Sequence, residues 1–122
     1  MSLYVLIVED DPDGAETVDM MLRAAGIQTE VVESAEAALS VLGEKSQFDG
    51  VIVDLALPVM DGFELMTTLR KHAAHHKLPL IAVTAYHTPE LKAKALDAGF
   101  TAYFPKPLDT TLFAQALERI LV

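Results

Sequence analysis

The chain has 122 residues, 52% of them apolar, a formal net charge of −9 and no cysteine. That length closes one hydrophobic core without covalent staples, and the missing cysteines exclude disulfides, thiolate metal sites and a cysteine nucleophile. The acidic balance argues against direct nucleic-acid binding, because neutralising phosphates takes clustered lysine and arginine. No apolar run approaches the roughly 20 residues needed to cross a bilayer, and no basic-then-apolar start suggests a signal peptide.

A soluble, cytoplasmic protein is therefore expected, with residues 1–122 forming one domain. Met1-Ser2-Leu3 reads equally as a native start or a cloning remnant. The end at Val122, directly after a helical pattern, fits both a stand-alone protein and a piece of a longer one.

In chain order, short apolar runs alternate with helical periodicity. Tyr4-Val5-Leu6-Ile7-Val8 has the continuous apolar character of a strand buried on both faces. It breaks at Glu9-Asp10-Asp11. Asp11 followed by Pro12 predicts a helix cap with proline in the first helical position. Val18, Met21, Leu22 and Ala25 then form one stripe, and Gly26 is expected as a left-handed stop. A second strand is predicted from Ile27 to Val32. Ser34 caps a helix with Ala35, Ala38, Leu39 and Leu42 inward, ended by Gly43.

The third strand runs from about Asp49 through Val51-Ile52-Val53 into Asp54. A loop containing Pro58 and Gly62 leads to a helix carrying Leu65, Met66 and Leu69. Pro79 enters a fourth strand, Leu80-Ile81-Ala82-Val83. Thr88-Pro89 starts the next helix, with Leu91, Ala95 and Ala98 inward and Gly99 as the stop. The last strand is Thr101 to Phe104. After Pro107, Phe113, Ala116, Leu117 and Ile120 give a final helical stripe.

This alternation implies right-handed βαβ crossovers, a parallel sheet and helices on both of its faces. In such α/β folds the active crevice lies beyond the carboxyl ends of the strands. Those ends carry Glu9-Asp10, Asp54, Thr84 and Lys106. Carboxylates gathered there repel: at an effective dielectric near 20, a pair ~5 Å apart costs about 3 kcal/mol. A hard divalent cation relieves this, and Mg²⁺ takes one or two carboxylates, a carbonyl and water. A lone acid after a strand is more often a turn residue or cap, which is the reading preferred for Asp11. The coincidence of an acid pair, a separate acid, a hydroxyl and a lysine is what marks the rim.

From Tyr4 to Leu121 the chain resembles the CheY-like receiver domains of two-component response regulators. The pieces are Leu6-Ile7-Val8-Glu9-Asp10-Asp11-Pro12, Asp54-Leu55-Ala56-Leu57-Pro58-Val59-Met60-Asp61-Gly62, Val83-Thr84-Ala85 and Tyr103-Phe104-Pro105-Lys106-Pro107. Each is moderately specific; all four in this order and spacing are very specific. The resemblance implies a doubly wound (βα)5 three-layer sandwich with a parallel five-stranded sheet in the flavodoxin-like order 2-1-3-4-5.

It also implies that Asp54 takes a phosphoryl group from a phosphohistidine on a sensor histidine kinase or phosphotransfer protein. Asp10, Asp54 and the backbone carbonyl of Ala56 would hold Mg²⁺, with Glu9 acting through a coordinated water. Lys106, the Thr84 hydroxyl and the Ala85 backbone N–H would contact phosphoryl oxygens. Thr84 and Tyr103 would form the switch: the hydroxyl moves toward the phosphoryl group, and Tyr103 swings into the vacated space. The alternative reading is that Tyr103 simply packs as a half-exposed strand aromatic, and in the resting state the two are compatible. That motion would change the surface of the fourth helix, fifth strand and fifth helix for an output domain or partner. The Lys106-Pro107 bond is expected to be cis. Catalysis would be confined to the protein's own phosphorylation and dephosphorylation. Tyr86 is expected to flank the site and shield the acyl phosphate from water.

His72, His75 and His76 are read as a solvated helix end, since Lys71 and Lys77 flank them and no carboxylate lies alongside. Lys92 and Lys94 are read as a solvated face, and Met20, Met21, Met60 and Met66 as core or rim filling. Three rival readings fit the rim less well. A phosphorylation-independent pseudo-receiver would need a broken site, yet all five rim residues are present. An aspartyl-phosphate phosphatase would need Asp-x-Asp, which Asp54-Leu55-Ala56 lacks. A flavin or nucleotide binder would want a phosphate-cradling loop where Glu9-Asp10-Asp11 stands.

Overall fold

The computed structural model describes residues 3–44, 47–72 and 75–122; Met1 and Ser2, read from the sequence as a native start or a cloning remnant, lie outside them. Strands and helices alternate throughout: β1 (Tyr4–Val8), α1 (Pro12–Ala24), β2 (Gln28–Val32), α2 (Ala35–Glu44), β3 (Gly50–Asp54), α3 (Gly62–Lys71), β4 (Leu80–Thr84), α4 (Pro89–Ala98), β5 (Ala102–Pro105) and α5 (Thr110–Leu121). All strand pairs are parallel and the order is β2-β1-β3-β4-β5, as expected from the sequence.

The strands lack polar alternation because both faces of the sheet are covered. Val5, Ile7, Ile52, Ile81 and Val83 point to one side, where they meet Val18 and Leu22 of α1 and Phe113 and Leu117 of α5. Leu6, Val8, Val51, Val53, Leu80 and Ala82 point to the other, against α2, α3 and Ala95 of α4. Successive strand side chains alternate in direction, so a two-sided core demands apolar residues at both parities. β1, β3 and β4 satisfy this, with β3 and β4 buried at every position.

Local chemistry starts the helices where the sequence predicts. Asp11 caps α1 by accepting from the backbone N–H groups of Asp13 and Gly14, with Pro12 following. Ser34 Oγ accepts from Ala37 N–H ahead of α2, and Thr88 caps α4 ahead of Pro89. Asp61 and Glu64 form a reciprocal capping box at α3. Gly26 and Gly99 take φ of 82° and 123° after α1 and α4, the region in which glycine avoids a side-chain penalty. A Cβ on Gly62 would stand 2.9 Å from Leu55 Cα and 3.0 Å from Asp54 O. Only glycine lets α3 begin against the end of β3.

Several expectations need correction. Gly43 does not end α2, which continues through Glu44. Ala25 is exposed because it lies past the last turn of α1 as its C-cap. Ala98 is exposed because α4 buries only Ala95. Met20 is 62% exposed, since its neighbours Met21 and Leu22 take the inward face of α1. β2 begins at Gln28 and β5 at Ala102, each one residue later than predicted, while β4 extends to include Thr84.

Candidate functional site

The strand ends converge. Val8 lies level with Val53, and Asp54 with Val83, so Glu9 and Asp54 emerge side by side from the two central strands. One carboxylate oxygen from each of Glu9, Asp10 and Asp54 lies within 4.8 Å of the others. Glu9 and Asp54 are buried, whereas Asp10 faces solvent. Lys106 reaches into this group from the loop after β5: its Nζ donates to Asp54 Oδ2 at 3.1 Å and also to Glu9 Oε1. Ala56 N–H donates to Asp54 Oδ1 at 2.8 Å, which fixes the second carboxylate oxygen and turns the chain away from the strand.

The three charged side chains shift one another's proton affinity. Burial, reinforced by the neighbouring Asp54 and opposed by Lys106, pushes Glu9 up to about 7. Burial alone would also raise Asp54, but hydrogen bonds from Glu9, Ala56 N–H and Lys106 outweigh it and hold its carboxyl below the ordinary range. Lys106 would be lowered by burial, yet its bonds to Glu9 and Asp54 raise it. The arrangement therefore contains one firmly ionised carboxylate, one carboxyl that holds its proton near neutrality, and a firmly charged ammonium.

The other predicted residues divide into those that join the group and those that stand beside it. Thr84, at the end of β4, is buried, and its Oγ1 accepts from Tyr86 N–H at 3.0 Å. Lys106 N–H donates to Thr84 O at 2.8 Å, tying the lysine's backbone to the threonine's. Ala56 and Ala85 are exposed at the rim, and the Lys106-Pro107 peptide is cis. Tyr86 is 72% exposed.

Tyr103 departs from expectation. It is buried, packed with the core on the α2–α4 side of the sheet, where a half-exposed resting position was predicted. The reason is a partner that the strand-end reading missed: Tyr103 Oη lies 2.9 Å from Nδ1 of His87. The histidine cluster also differs from the solvated end predicted for it. His75 is buried and packs its ring against His72; burial, aided by His72, lowers its proton affinity. Arg70 closes that corner by donating to the carbonyls of His75, Leu78 and Gly99. Lys94, expected to be simply solvated, sits over the Phe63 ring at 4.6 Å from the centroid.

Among the described residues no helix is long and apolar enough to cross a membrane. A family model for the response regulator receiver domain matches residues 5–118. A 14.6 kDa protein encoded beside sodA1 in Leptolyngbya boryana is 40% identical over 86% of this chain and 79% of its own length. Other curated relatives are far longer, and the chain spans only 15% of one and 24% of another. Among solved structures, a response regulator from Chloroflexus aurantiacus superposes with a TM-score of 0.93 at 30% identity, covering 99% of this chain and 98% of that one. The receiver domain of a Pseudomonas aeruginosa PAO1 sensor histidine kinase, solved with a magnesium ion in its active-site cleft, gives 0.89 at 26% identity, covering 99% and 98%. With the shared strand order and the matched length, this chain belongs to the response regulator receiver domain family of two-component systems.

Proposed function

We propose that Asp54 is the phosphoacceptor of a two-component phosphorelay, and that its phosphorylation switches the surface formed by α4, β5 and α5. The observation carrying this reading is the convergence of Glu9, Asp10 and Asp54 with Lys106 bonded to two of them. In the transfer, an Asp54 carboxylate oxygen attacks phosphorus of a phosphohistidine. The P–N bond breaks, and its electron pair returns to the imidazole nitrogen, which takes a proton.

Phosphoryl transfer passes through a loose, charge-spread transition state, so positioning and electrostatics are the protein's main contribution. The low proton affinity of Asp54 keeps the nucleophile ionised. Lys106 stands at Asp54 Oδ2, where it can follow the charge from carboxylate to phosphoryl oxygen. The Thr84 hydroxyl and Ala85 N–H are the proposed donors to the remaining oxygens.

The donor set suits Mg²⁺: all ligands are hard oxygens, and the same acids are mutually repulsive without a cation. Glu9, Asp10, Asp54 and the Ala56 carbonyl would hold the ion, which supplies neutralisation of the charge that builds on the acceptor and phosphoryl oxygens. The partners proposed are a sensor histidine kinase or phosphotransfer protein as donor, and an output domain or protein that reads the switched surface. A cytoplasmic location follows from that role.

Intact-mass spectrometry after acetyl phosphate and Mg²⁺ tests the reading. Wild type gains one phosphoryl group, labile at alkaline pH, and Asp54→Asn gains none. A wild-type protein that stays unmodified under these conditions would instead be a phosphorylation-independent interaction module.

A further inference from the structure

Two segments carry the groups proposed to contact the phosphoryl oxygens other than the acids. The loop after β4 carries Thr84 and Ala85, and the segment after β5 carries Lys106. They are joined at their base by the backbone bond from Lys106 N–H to Thr84 O. They are joined a second time by side chains, through the 2.9 Å contact between His87 Nδ1 and Tyr103 Oη. His87 stands three residues after Thr84, and Tyr103 three residues before Lys106, so this bond spans both walls of the pocket. The rings also lie against one another, with centroids 5.5 Å apart. Tyr103 is buried while His87 is exposed.

Tyr103 as a residue is buried and its hydroxyl meets His87 at a part-buried contact; a phenol turned inward is costly without a partner, so this hydrogen bond favours the inward position. The imidazole makes this bond in either neutral tautomer, since Nδ1 can accept from the phenol or donate to it.

We infer that His87 is a positioning residue for phosphoryl transfer: it holds Tyr103 inward before any phosphoryl group arrives and fixes the Thr84–Ala85 loop relative to Lys106. This rests on the reading of Asp54 as phosphoacceptor. In this protein the inward tyrosine is a property of the resting state, and the phosphoryl group finds its hydroxyl and amide donors already placed. An outward Tyr103 would leave the loop after β4 held to β5 by the backbone ladder alone at this point, and its donors would have to be ordered during the transfer.

The test uses the whole chain and three variants, His87→Ala, His87→Asn and Tyr103→Phe, together with the His87→Ala/Tyr103→Phe double variant. Asparagine places an amide nitrogen near the position of Nδ1 and is the conservative replacement. Two readouts are taken: the aromatic NMR signals of Tyr103, and the rate of adduct formation from acetyl phosphate at saturating Mg²⁺, with Mg²⁺ affinity measured separately. His87→Ala is expected to move the Tyr103 ring signals toward solvent-exposed values. It should also slow adduct formation by about two- to tenfold, the range one hydrogen bond supplies, with Mg²⁺ affinity unchanged. Asparagine should restore most of the rate, and the double variant should be no slower than His87→Ala alone.

Unmoved Tyr103 signals in His87→Ala would overturn the inference, as would a rate that falls only in step with Mg²⁺ affinity, or single-variant losses that multiply in the double variant. A wild type that takes no adduct rejects the reading of Asp54 and, with it, the transfer half of the inference. The ring signals then still decide whether His87 holds Tyr103.

Discussion

Lys106 and Asp54 are 52 residues apart in sequence, yet the ammonium of one lies 3.1 Å from a carboxylate oxygen of the other, and the same ammonium bonds Glu9. One cation thus separates two buried acids. Replacing it with an isosteric apolar residue leaves both without their counter-charge. We expect Lys106→Met to lower the stability of the metal-free protein by about 2–4 kcal/mol at pH 8, somewhat below the cost of breaking a fully buried pair, because the lysine is partly exposed. Urea unfolding in the presence of a chelator measures this. A loss below about 0.5 kcal/mol, the size of a surface effect, would mean the acids do not rely on the lysine.

Glu9 gives the metal-free protein a pH dependence of definite sign. Its carboxyl sits at about 7 in the folded protein against 4.5 for an ordinary glutamate, so the folded state binds the extra proton between those values. The associated stability is fully present below about 4.5 and is lost as pH rises through about 7. Asp54, shifted downward, titrates below this window. Urea midpoints in chelator should fall from pH 5 to pH 8, and Glu9→Gln should flatten the profile. Mg²⁺ should stabilise the protein much more at pH 8 than at pH 5, because it competes with that proton. A flat wild-type profile in chelator would contradict the buried, protonated Glu9.

Val59 occupies φ 66° in the loop after Asp54 and is 93% exposed. A β-branched side chain in the left-handed region is strained by roughly 1–2 kcal/mol, and nothing is buried in return. Asparagine tolerates that conformation. Val59→Asn should therefore stabilise the fold by about 1 kcal/mol, raising the melting temperature by about 4 °C. Scanning calorimetry checks it, and an unchanged or lower melting temperature would show that the loop relaxes out of this conformation in solution.

Arg70 binds the carbonyls of His75, Leu78 and Gly99 at 3.3, 2.7 and 3.0 Å, joining the end of α3 to the loop before β4 and to the turn after α4. Arg70→Met keeps the stem and removes these donors. A loss of about 1–3 kcal/mol is expected, with faster amide exchange in the segment leading into β4. Unaltered exchange there would assign the three bonds to solvent-equivalent contacts.

The order of elements was legible because the inner strands are buried at nearly every position, so Tyr4–Val8, Gly50–Asp54 and Leu80–Thr84 read as continuous apolar runs. Three helix starts were equally legible, since Asp11, Ser34, Thr88 and the prolines after two of them are local chemistry. What escaped the sequence depends on tertiary context. Gly43 looked like a stop but stays helical, because glycine in a helix costs only about 1 kcal/mol and packing by Ala38 and Leu42 outweighs it. His75 looked solvated beside two lysines, yet the loop before β4 folds it inward. The acids, the hydroxyl and the lysine of the pocket could be read from strand ends; the His87–Tyr103 contact could not, since nothing in the spacing of a loop histidine reveals which strand residue it faces.

The register of the sheet has a mechanical implication for the lysine. Asp54 is level with Val83, and Val83 with Phe104, so Lys106 leaves the backbone two residues further along than the acid it touches. That offset is roughly 6–7 Å at the usual strand rise, about the reach of a four-carbon stem folded back toward the sheet. Length here matters as much as charge. A single-residue insertion within β5 would reverse which way the later side chains of that strand point and shift Lys106 along with them, drawing the ammonium away from the pocket while leaving each acid untouched.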